Sequence, residues 1–357
     1  MATTWKELLS KSITSVSDLP PHLLPIPPEA EKASEIFPMM VNPYYLSLIS
    51  DKNCPIYRQC IPDKDELLAN NGLTDPLAEE EHSPVPGLTH RYPDRIMMTV
   101  SNHCAVYCRF CTRKRKVGQS HIVTDDTISE GINYIRSHGE VRDVLLSGGD
   151  PLILETEKLK EILGRIRKIS HVDIIRIGTR IPCTLPQRVT DRLCSMLRQF
   201  HPLFINIHFN HPAELTESAK EACLKLADAG IPLGSQTVLL KHVNDNPDTI
   251  KDLLRGLIKI RVKPYYIFHA DYVQGTGHFR TSISEGLNIM KSLYGHISGL
   301  CIPQYTIDLP GGGGKIPLTP GYLSEETKTE YIFHNFKGEK YPYTKIAGET
   351  VKNLLVY

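Results

Sequence analysis

The chain has 357 residues and a formal net charge of +1, with 41% hydrophobic and 23% charged residues. These values are typical of a globular enzyme with a sizeable core. A charge near zero gives no reason to expect a nucleic acid or an anionic membrane as a partner. No apolar run reaches the roughly 18 residues of a membrane span, and the N-terminus lacks a secretory pattern. Six of the nine cysteines have no framework spacing, so we expect reduced thiols and a cytoplasmic protein.

The chain begins with a Pro-rich, charged stretch over residues 1–85, which we interpret as an irregular, partly helical extension and not as a separate domain. From Arg95 onward, apolar runs alternate with helical patterns. The predicted strands are Ile96–Val100, Val144–Leu146, Ile174–Ile177, Leu203–His208, Leu233–Leu240 and Tyr265–His269.

Two segments between these strands show the spacing i, i+3, i+4, i+7 that is typical of an amphipathic helix. The positions are Leu159, Ile162, Leu163 and Ile166, and then Ile250, Leu253, Leu254 and Leu257. Strand–helix units in series predict an α/β protein with a parallel sheet, either a barrel or an open doubly wound sheet. Periodicity does not separate these two folds. In both, chemistry is expected at the C-terminal ends of the strands.

Three cysteines follow the first predicted strand directly, as Cys104, Cys108 and Cys111 in a C-x3-C-x2-C spacing. Three thiolates in so short a loop can each bind one iron of a [4Fe–4S] cluster, which leaves the fourth iron open. Structural zinc prefers four closed ligands in separated pairs, so it fits this triplet poorly. The alternative is three unrelated cysteines, and the dense packing of the triplet favours the cluster.

This spacing is the signature of the radical S-adenosylmethionine (SAM) superfamily, which the chain therefore resembles. The resemblance implies a partial (β/α)6 TIM-type barrel in which SAM chelates the open iron and is cleaved to a deoxyadenosyl radical. The segment Ser147, Gly148, Gly149 and Asp150 follows the second strand and resembles the glycine-rich segment that meets the amino group of SAM. Taken alone, it could equally be an ordinary β-to-α turn.

Four consecutive glycines, Gly311–Gly314, precede Lys315 between two prolines. A phosphate-binding P-loop is excluded because Ile316 follows the lysine where Ser or Thr is required. Two interpretations remain open from the residues alone. The run is either a flexible surface loop or the carrier of a lysine that reacts with a carbonyl cofactor.

Beyond these motifs, the chain resembles the lysine 2,3-aminomutase family from about Asp75 to about Tyr322. The matching blocks are residues 74–77, 85–95, 108–115, 144–150, 208–212, 277–281 and 310–315. The resemblance implies that Lys315 forms an imine with pyridoxal 5′-phosphate (PLP). It also implies that Arg91 and Arg95 lie near the PLP phosphate, although lone arginines are more often solvated surface residues.

The same resemblance assigns the substrate contacts. It implies that Arg113 binds the carboxylate of an amino acid, and that Asp271 and Asp308 bind a cationic side chain. Two carboxylates favour lysine over glutamate and leave arginine as an alternative. His208 and Gln236 resemble residues that contact the cofactors, but each could equally be a hydrogen-bonded polar residue at a strand end.

The reaction that the resemblance implies is an isomerisation of L-lysine to β-lysine by a radical 1,2 shift of the amino group. A one-electron donor such as flavodoxin or ferredoxin and a homo-oligomeric assembly are expected with it. Zinc is not predicted, because Asn246 stands where longer relatives place a zinc cysteine. The expected organisation is an extension (1–85), a radical SAM partial barrel (86–310), and a PLP-lysine loop with a short C-terminal segment (311–357).

Two other functions compete with this interpretation. An aminomutase of the same mechanism could act on arginine or glutamate. An iron–sulfur protein for electron transfer or redox sensing is a different class, and it would need neither Lys315 nor the pair Asp271 and Asp308.

Overall fold

A sheet of nine strands in chain order forms the centre of the computed structural model, which describes residues 4–68, 72–119 and 123–346. The strands are β1 (Leu88–Tyr92), β2 (Arg95–Ser101), β3 (Asp143–Gly148), β4 (Ile174–Thr179), β5 (Leu203–His208), β6 (Leu233–Leu239), β7 (Lys263–His269), β8 (Gln304–Leu309) and β9 (Gly314–Pro317). Strands β2 to β8 are parallel neighbours, and β1 and β9 pair antiparallel at the two edges. The predicted α/β class with a partial TIM-type barrel is confirmed.

The prediction of six parallel strands was one short, because β8 continues the parallel sheet beside β7. Its pattern is not apolar, since Gln304, Thr306 and Asp308 alternate along it. These three residues line the cavity described below, so the inward face of β8 is polar. A polar inward face hides a strand from a search for apolar runs.

Some helices precede the sheet and others connect its parallel strands. They are α1 (Trp5–Ser10), α2 (Pro28–Ile36), α3 (Pro43–Leu46), α4 (Pro55–Cys60), α5 (Asp125–Ser137), α6 (Thr156–Arg167), α7 (Ile181–Thr184), α8 (Asp191–Leu197), α9 (Glu217–Asp228), α10 (Pro247–Lys259) and α11 (Ile283–Leu293). The four apolar positions predicted on α6 and the four on α10 are all buried. Each such side chain contributes about 1.5–3 kcal/mol by leaving water. No helix in the described ranges is both long and apolar enough to cross a membrane.

Asn246, the residue because of which zinc was not predicted, directly precedes helix α10. Its side chain accepts hydrogen bonds from the backbone N–H groups of Asp248 (2.8 Å) and Thr249 (3.4 Å). An asparagine in this position satisfies N–H groups that have no partner inside the helix. In this chain the residue therefore has a capping role.

The N-terminal extension packs against the barrel and shares its hydrophobic core. Val16, Leu19 and Leu23 belong to the same buried cluster as the barrel strands. Val41 forms a β-bridge with Val106 in the cysteine loop. The buried Asn42 donates hydrogen bonds to the carbonyl groups of Ala105 (3.0 Å) and Thr184 (2.9 Å). The extension thus contacts the cysteine loop and helps to hold it in place.

The glycine run is the turn of a hairpin between β8 and β9. Gly311 (φ 68°) and Gly312 (φ 79°) have left-handed backbone conformations that other residues rarely adopt. The hairpin places Asp308 directly opposite Lys315 across the two strands. The glycine run is thus part of a paired hairpin, and the boundary predicted after residue 310 lies within this hairpin.

After the hairpin, a second sheet occupies part of what the sequence suggested was a short segment. Its strands are β10 (Leu323–Glu326), β11 (Glu330–His334) and β12 (Lys340–Thr344), all antiparallel. The rest of the predicted C-terminal segment, residues 347–357, lies outside the described residues.

Candidate active site

One cavity of about 1030 Å³ runs through the barrel, and every predicted site residue lines it. These residues are Arg91, Arg95, Cys104, Cys108, Cys111, Arg113, Ser147, Gly148, Gly149, Asp150, His208, Gln236, Asp271, Asp308 and Lys315. Many of them lie at or just beyond the C-terminal ends of parallel strands, where the parallel topology brings distant segments of the chain together. A cavity of this size can hold more than one small molecule.

The three cysteines lie on the loop after β2, which is tied to the N-terminal extension. The backbone N–H of Tyr107 donates to the carbonyl of Met40, and that of Arg109 to the carbonyl of Gln59, both at 2.9 Å. Burial, together with neighbouring anionic groups, raises the pKa of Cys104 well above its usual range and that of Cys111 to about 11. As free thiols these groups are protonated, so cluster binding must release their protons.

The donor set of this loop fits an iron–sulfur cluster. In the described part of the chain, no group of three or more His, Cys, Asp or Glu side chains is arranged around one metal-ion position. A cubane cluster places each thiolate on a different iron, so its ligands stand further apart than those of a single ion. Three thiols on one loop at the cavity wall are consistent with this requirement.

A buried ion pair holds the same loop from the side of the extension. Glu66 accepts hydrogen bonds from Arg109 (2.8 Å to its Nε) and from Lys114 (2.8 Å). Burial alone would raise the pKa of Glu66, but these two cations outweigh it and lower the pKa. The loop carrying the cysteines is therefore fixed on a charged anchor that no sequence motif indicated.

The segment after β3 is held by close backbone contacts. The N–H of Gly149 donates to the carbonyl of Ser101, and the N–H of Asp150 to the carbonyl of His103. The carboxylate of Asp150 accepts from the Thr179 hydroxyl and from the Arg180 backbone N–H, both at 2.6 Å. Asp150 lines the cavity, but these contacts tie β3 to the end of β4.

Replacing Gly149 with alanine is expected to destabilise the protein, because the added Cβ would overlap the backbone carbonyl of His103. Backbone cannot move aside cheaply, so we expect a loss of about 1–3 kcal/mol in the free energy of unfolding. Gly139→Ala is the matched control, since a Cβ there meets nothing within 4 Å. Urea unfolding of both variants measures the difference, and equal stabilities would contradict the expected overlap.

Lys315 lies on the opposite side of the glycine turn from Asp308, and the two side chains form an ion pair. The distance from Lys315 Nζ to Asp308 Oδ2 is 2.6 Å, and Arg91 Nη2 lies 3.1 Å from Asp308 Oδ1. The backbone N–H of Lys315 donates to the Tyr92 hydroxyl at 2.9 Å. The guanidinium of Arg95 stacks on the Tyr92 ring at 4.2 Å. A reactive amine, two cations and an aromatic ring thus meet at one place, which fits a phosphate-bearing aldehyde such as PLP.

The second predicted carboxylate, Asp271, is strongly perturbed. Burial, and then the nearby negative charge of Asp308, raise its pKa from 3.8 to about 7. A carboxyl group with this pKa is poised between neutral and charged at physiological pH. Two neighbouring carboxylates, the buried Asp308 and the partly buried Asp271, form a site that gains from a bound cation.

The apparent KM for a cationic amino acid is expected to fall about tenfold between pH 6 and pH 8. Asp271 changes from mostly protonated to mostly ionised across a pKa of about 7, while a substrate ammonium stays charged. Asp271→Asn should remove this pH dependence. Steady-state kinetics at several pH values will test it, and an unchanged profile in the variant would count against the role of Asp271.

A rise in pH is expected to improve binding of a cationic substrate, but Asp271 makes the folded protein less stable as the pH rises. The folded state holds a proton on Asp271 that the unfolded chain releases above pH 3.8. Asp271 therefore lowers the free energy of unfolding as the pH rises from about 4 to about 7. Asp271→Asn is expected to be more stable than the wild type at pH 8, with a smaller difference at pH 4.

Arg113 already has a carboxylate partner in this structure. Its Nε donates to Glu79 Oε1 at 2.8 Å, its Nη2 lies 2.7 Å from the same oxygen as an ion pair, and its Nη1 donates to the Ser147 hydroxyl at 3.2 Å. Burial would raise the pKa of Glu79, but Arg113 outweighs it and lowers the pKa to about 2. Nη2 of Arg113 also donates to the Met97 sulfur at 3.7 Å. One hydrogen on Nη1 remains for another acceptor, so the guanidinium can still bind a substrate carboxylate.

His208 and Gln236 are register partners on β5 and β6. His208 Nε2 lies 3.0 Å from Asn210 Oδ1. Burial, and then the positive charge of Arg180, lower the pKa of His208 to about 4. The imidazole is therefore neutral at pH 7, so one ring nitrogen can donate a hydrogen bond and the other can accept one.

Sequence reasoning missed several buried groups at the site: Tyr45, Glu66, Glu79, Arg180 and Glu214. Arg180 and Glu79 line the cavity, Tyr45 and Glu214 form hydrogen bonds with Arg180, and Glu66 contacts Arg109 on the cysteine loop. Arg180 follows β4 directly, so the rule that chemistry gathers at strand ends could have found it. The other residues lie on the extension, on the loop before β1 or on the turn after β5, without a local motif.

Two family models match the chain. The model described as the radical SAM superfamily matches residues 98–254, and the model described as lysine-2,3-aminomutase matches residues 290–350. The L-lysine 2,3-aminomutase of Methanococcus maripaludis is 50% identical over 315 residues, which are 87% of this chain and 73% of that protein. The L-lysine 2,3-aminomutase of Acetoanaerobium sticklandii is 46% identical over 94% of this chain and 82% of its own length. The glutamate 2,3-aminomutase of Clostridioides difficile is also 46% identical, over 92% and 79%.

Proposed function

The chain belongs to the lysine 2,3-aminomutase family of radical SAM enzymes, and from this premise we propose that it converts L-lysine to β-lysine with the help of PLP. Family membership makes it an isomerase that uses an iron–sulfur cluster and SAM. The identity of the amino acid and the use of PLP are the parts that we propose. We also propose that a flavodoxin- or ferredoxin-type protein supplies the electron.

The observation that carries the proposal is the cluster of charges around Lys315. Lys315, Arg91 and Asp308 are joined by contacts of 2.6 and 3.1 Å, and the second carboxylate, Asp271, lies close enough to have its pKa raised. Lys315 would hold PLP beside Asp308, and Arg91 would keep Asp308 in place. Asp308 and Asp271 would then supply negative charge to a substrate ammonium, whose burial without a partner would be costly.

This arrangement favours lysine over glutamate. A glutamate side chain would bring a further negative charge towards Asp271 and Asp308, which is unfavourable in a buried site. Sequence identity hardly makes this distinction, because the two relatives named for lysine are 50% and 46% identical and the relative named for glutamate is 46% identical. The two carboxylates are the feature that separates the substrates.

The aldehyde and the phosphate of PLP each have a suitable binding residue in this chain. Lys315 supplies the amine for its aldehyde, and Arg91 and Arg95 supply cations for its phosphate. Bound PLP supplies a conjugated ring over which an unpaired electron can spread. Arg113 holds the α-carboxylate with the donors that Glu79 leaves free, and the walls of the barrel exclude water and oxygen from the radicals.

An anaerobic assay will test the proposal. The protein is reconstituted with iron and sulfide, then mixed with SAM, PLP, dithionite and one amino acid at a time: lysine, arginine or glutamate. Mass spectrometry of derivatised products identifies any β-amino acid. β-Lysine from lysine alone would support the proposal, and rearrangement of arginine or glutamate instead would refute the choice of substrate. Cleavage of SAM without any rearranged amino acid would refute the proposed reaction.

A further inference from the structure

A buried arginine contacts one of the three cysteines predicted to bind the cluster, and it lies outside the sequence blocks on which the family resemblance was based. Arg180 follows β4 and is 7% exposed, and its Nη1 donates a hydrogen bond to the Cys108 sulfur at 2.8 Å. Arg180 also lines the cavity. The role of Arg180 does not depend on which amino acid is the substrate or on PLP, so it goes beyond the proposed function.

The other end of this guanidinium is fixed by three acceptors. Its Nη2 donates to Glu214 Oε1 (2.6 Å), to Gln59 Oε1 (2.6 Å) and to the Tyr45 hydroxyl (3.0 Å). Two of these acceptors come from the N-terminal extension. The guanidinium therefore has little freedom to turn away from Cys108.

Glu214 is an equally buried counter-charge. It is 0% exposed and accepts hydrogen bonds from the backbone N–H groups of Asn210 (2.6 Å) and His211 (3.0 Å) and from the Tyr45 hydroxyl (2.7 Å). Burial would raise its pKa, but Arg180 and these hydrogen bonds outweigh it and lower the pKa. Both members of the pair are thus charged, and only Arg180 contacts a cluster ligand.

We propose that Arg180 and Glu214 set the reduction potential of the iron–sulfur cluster. The reduction adds one electron from an external one-electron donor to the cluster and moves no proton in this pair. A cation and an N–H donor beside a cluster sulfur stabilise the added negative charge, so Arg180 raises the potential. Glu214 offsets part of that charge and keeps the potential lower. Arg180 therefore acts through Cys108 on the reduction of the cluster and does not itself contact the substrate in this proposal.

The test is a redox titration of the reconstituted cluster, followed by electron paramagnetic resonance. Arg180→Met is expected to lower the ratio of reduced to oxidised cluster at a fixed potential by about tenfold, which corresponds to about 59 mV for one electron. Glu214→Gln is expected to raise that ratio by a similar factor. The double variant, which lacks both charges, should lie between the two single variants.

Opposite shifts distinguish this proposal from a purely structural role, because a loosened loop would not move the potential in opposite directions. Arg188→Met is the matched control: Arg188 is 1% exposed and donates to the Leu154 carbonyl at 2.8 Å, away from the cavity lining. Iron and sulfide content and thermal unfolding are measured for each variant. If Arg180→Met does not bind the cluster, Glu214→Gln and the charge-preserving Arg180→Lys still decide the matter. Potentials equal to that of the control, or shifts of the same sign, would overturn the proposal.

Discussion

Replacing Lys315 with alanine is expected to reduce the formation of β-lysine by about a thousandfold or more. The loss is large because removing a residue that reacts covalently disables the whole catalytic unit. Lys315 Nζ lies in the cavity, 2.6 Å from Asp308 and 5.6 Å from the centre of the Phe268 ring. The variant should also no longer become covalently labelled when borohydride is added in the presence of PLP.

Lys263→Ala is the matched control for this prediction. Lys263 lines the same cavity, but its Nζ donates to the carbonyl groups of Leu300 (2.7 Å) and Ile302 (3.2 Å). We expect this variant to keep both its PLP labelling and its activity. Absorbance spectra and mass spectrometry of the reduced protein provide the measurement. PLP labelling that persists without Lys315 would mean that another lysine carries the cofactor.

Asp308→Asn is expected to lower kcat/KM for lysine by about a hundredfold or more. Asparagine has nearly the same shape but cannot neutralise Arg91, Lys315 or a substrate ammonium. Loss of one partner of a buried, hydrogen-bonded charge pair costs roughly 2–5 kcal/mol, and each 1.4 kcal/mol is about a factor of ten. Asp308 is 8% exposed, so solvent replaces little of the lost interaction.

The control for Asp308 is Asp143→Asn at another part of the cavity wall. Asp143 also lines the cavity, and its carboxylate accepts from Arg176 Nε at 2.8 Å. Its loss should change kcat/KM for lysine by less than about threefold, because partly exposed ion pairs contribute little. Comparison of PLP content in the two variants shows whether Asp308 acts on cofactor loading or on substrate binding. Equal kinetics for both variants would refute a special role for Asp308.

Much of the candidate site follows from local sequence patterns. The cysteine triplet lies within eight residues, so its spacing alone was enough to predict a cluster. His208 and Asp271 were predicted from the family resemblance, and both line the cavity, as expected for side chains near the ends of parallel strands. The apolar spacing on α6 and α10 predicted buried faces because the helical repeat is itself a local property.

Other features were invisible to local patterns. Strand β8 was missed because its inward face carries Gln304, Thr306 and Asp308 in place of apolar residues. The glycine run suggested a flexible loop, whereas the left-handed conformations of Gly311 and Gly312 make it a hairpin turn. Whether a glycine run is flexible or forms a turn depends on the strands with which the flanking segments pair. Those strands can lie far away in the sequence.

The sequence by itself determined the fold class and the family, since both follow from spacing and from an ordered set of family blocks; the roles of the cysteine loop and of Lys315 stay predictions from the same blocks. Only the tertiary structure decided which charges meet. Asp308 lies opposite Lys315 because of the register of the hairpin. Glu79, which lies 34 residues earlier in the chain, forms an ion pair with Arg113. Arg180 joins Cys108 to Glu214 through contacts between separate strands. The physical reason is that ion pairs depend on distances in space, which are set by the register and packing of the whole barrel and not by neighbouring residues.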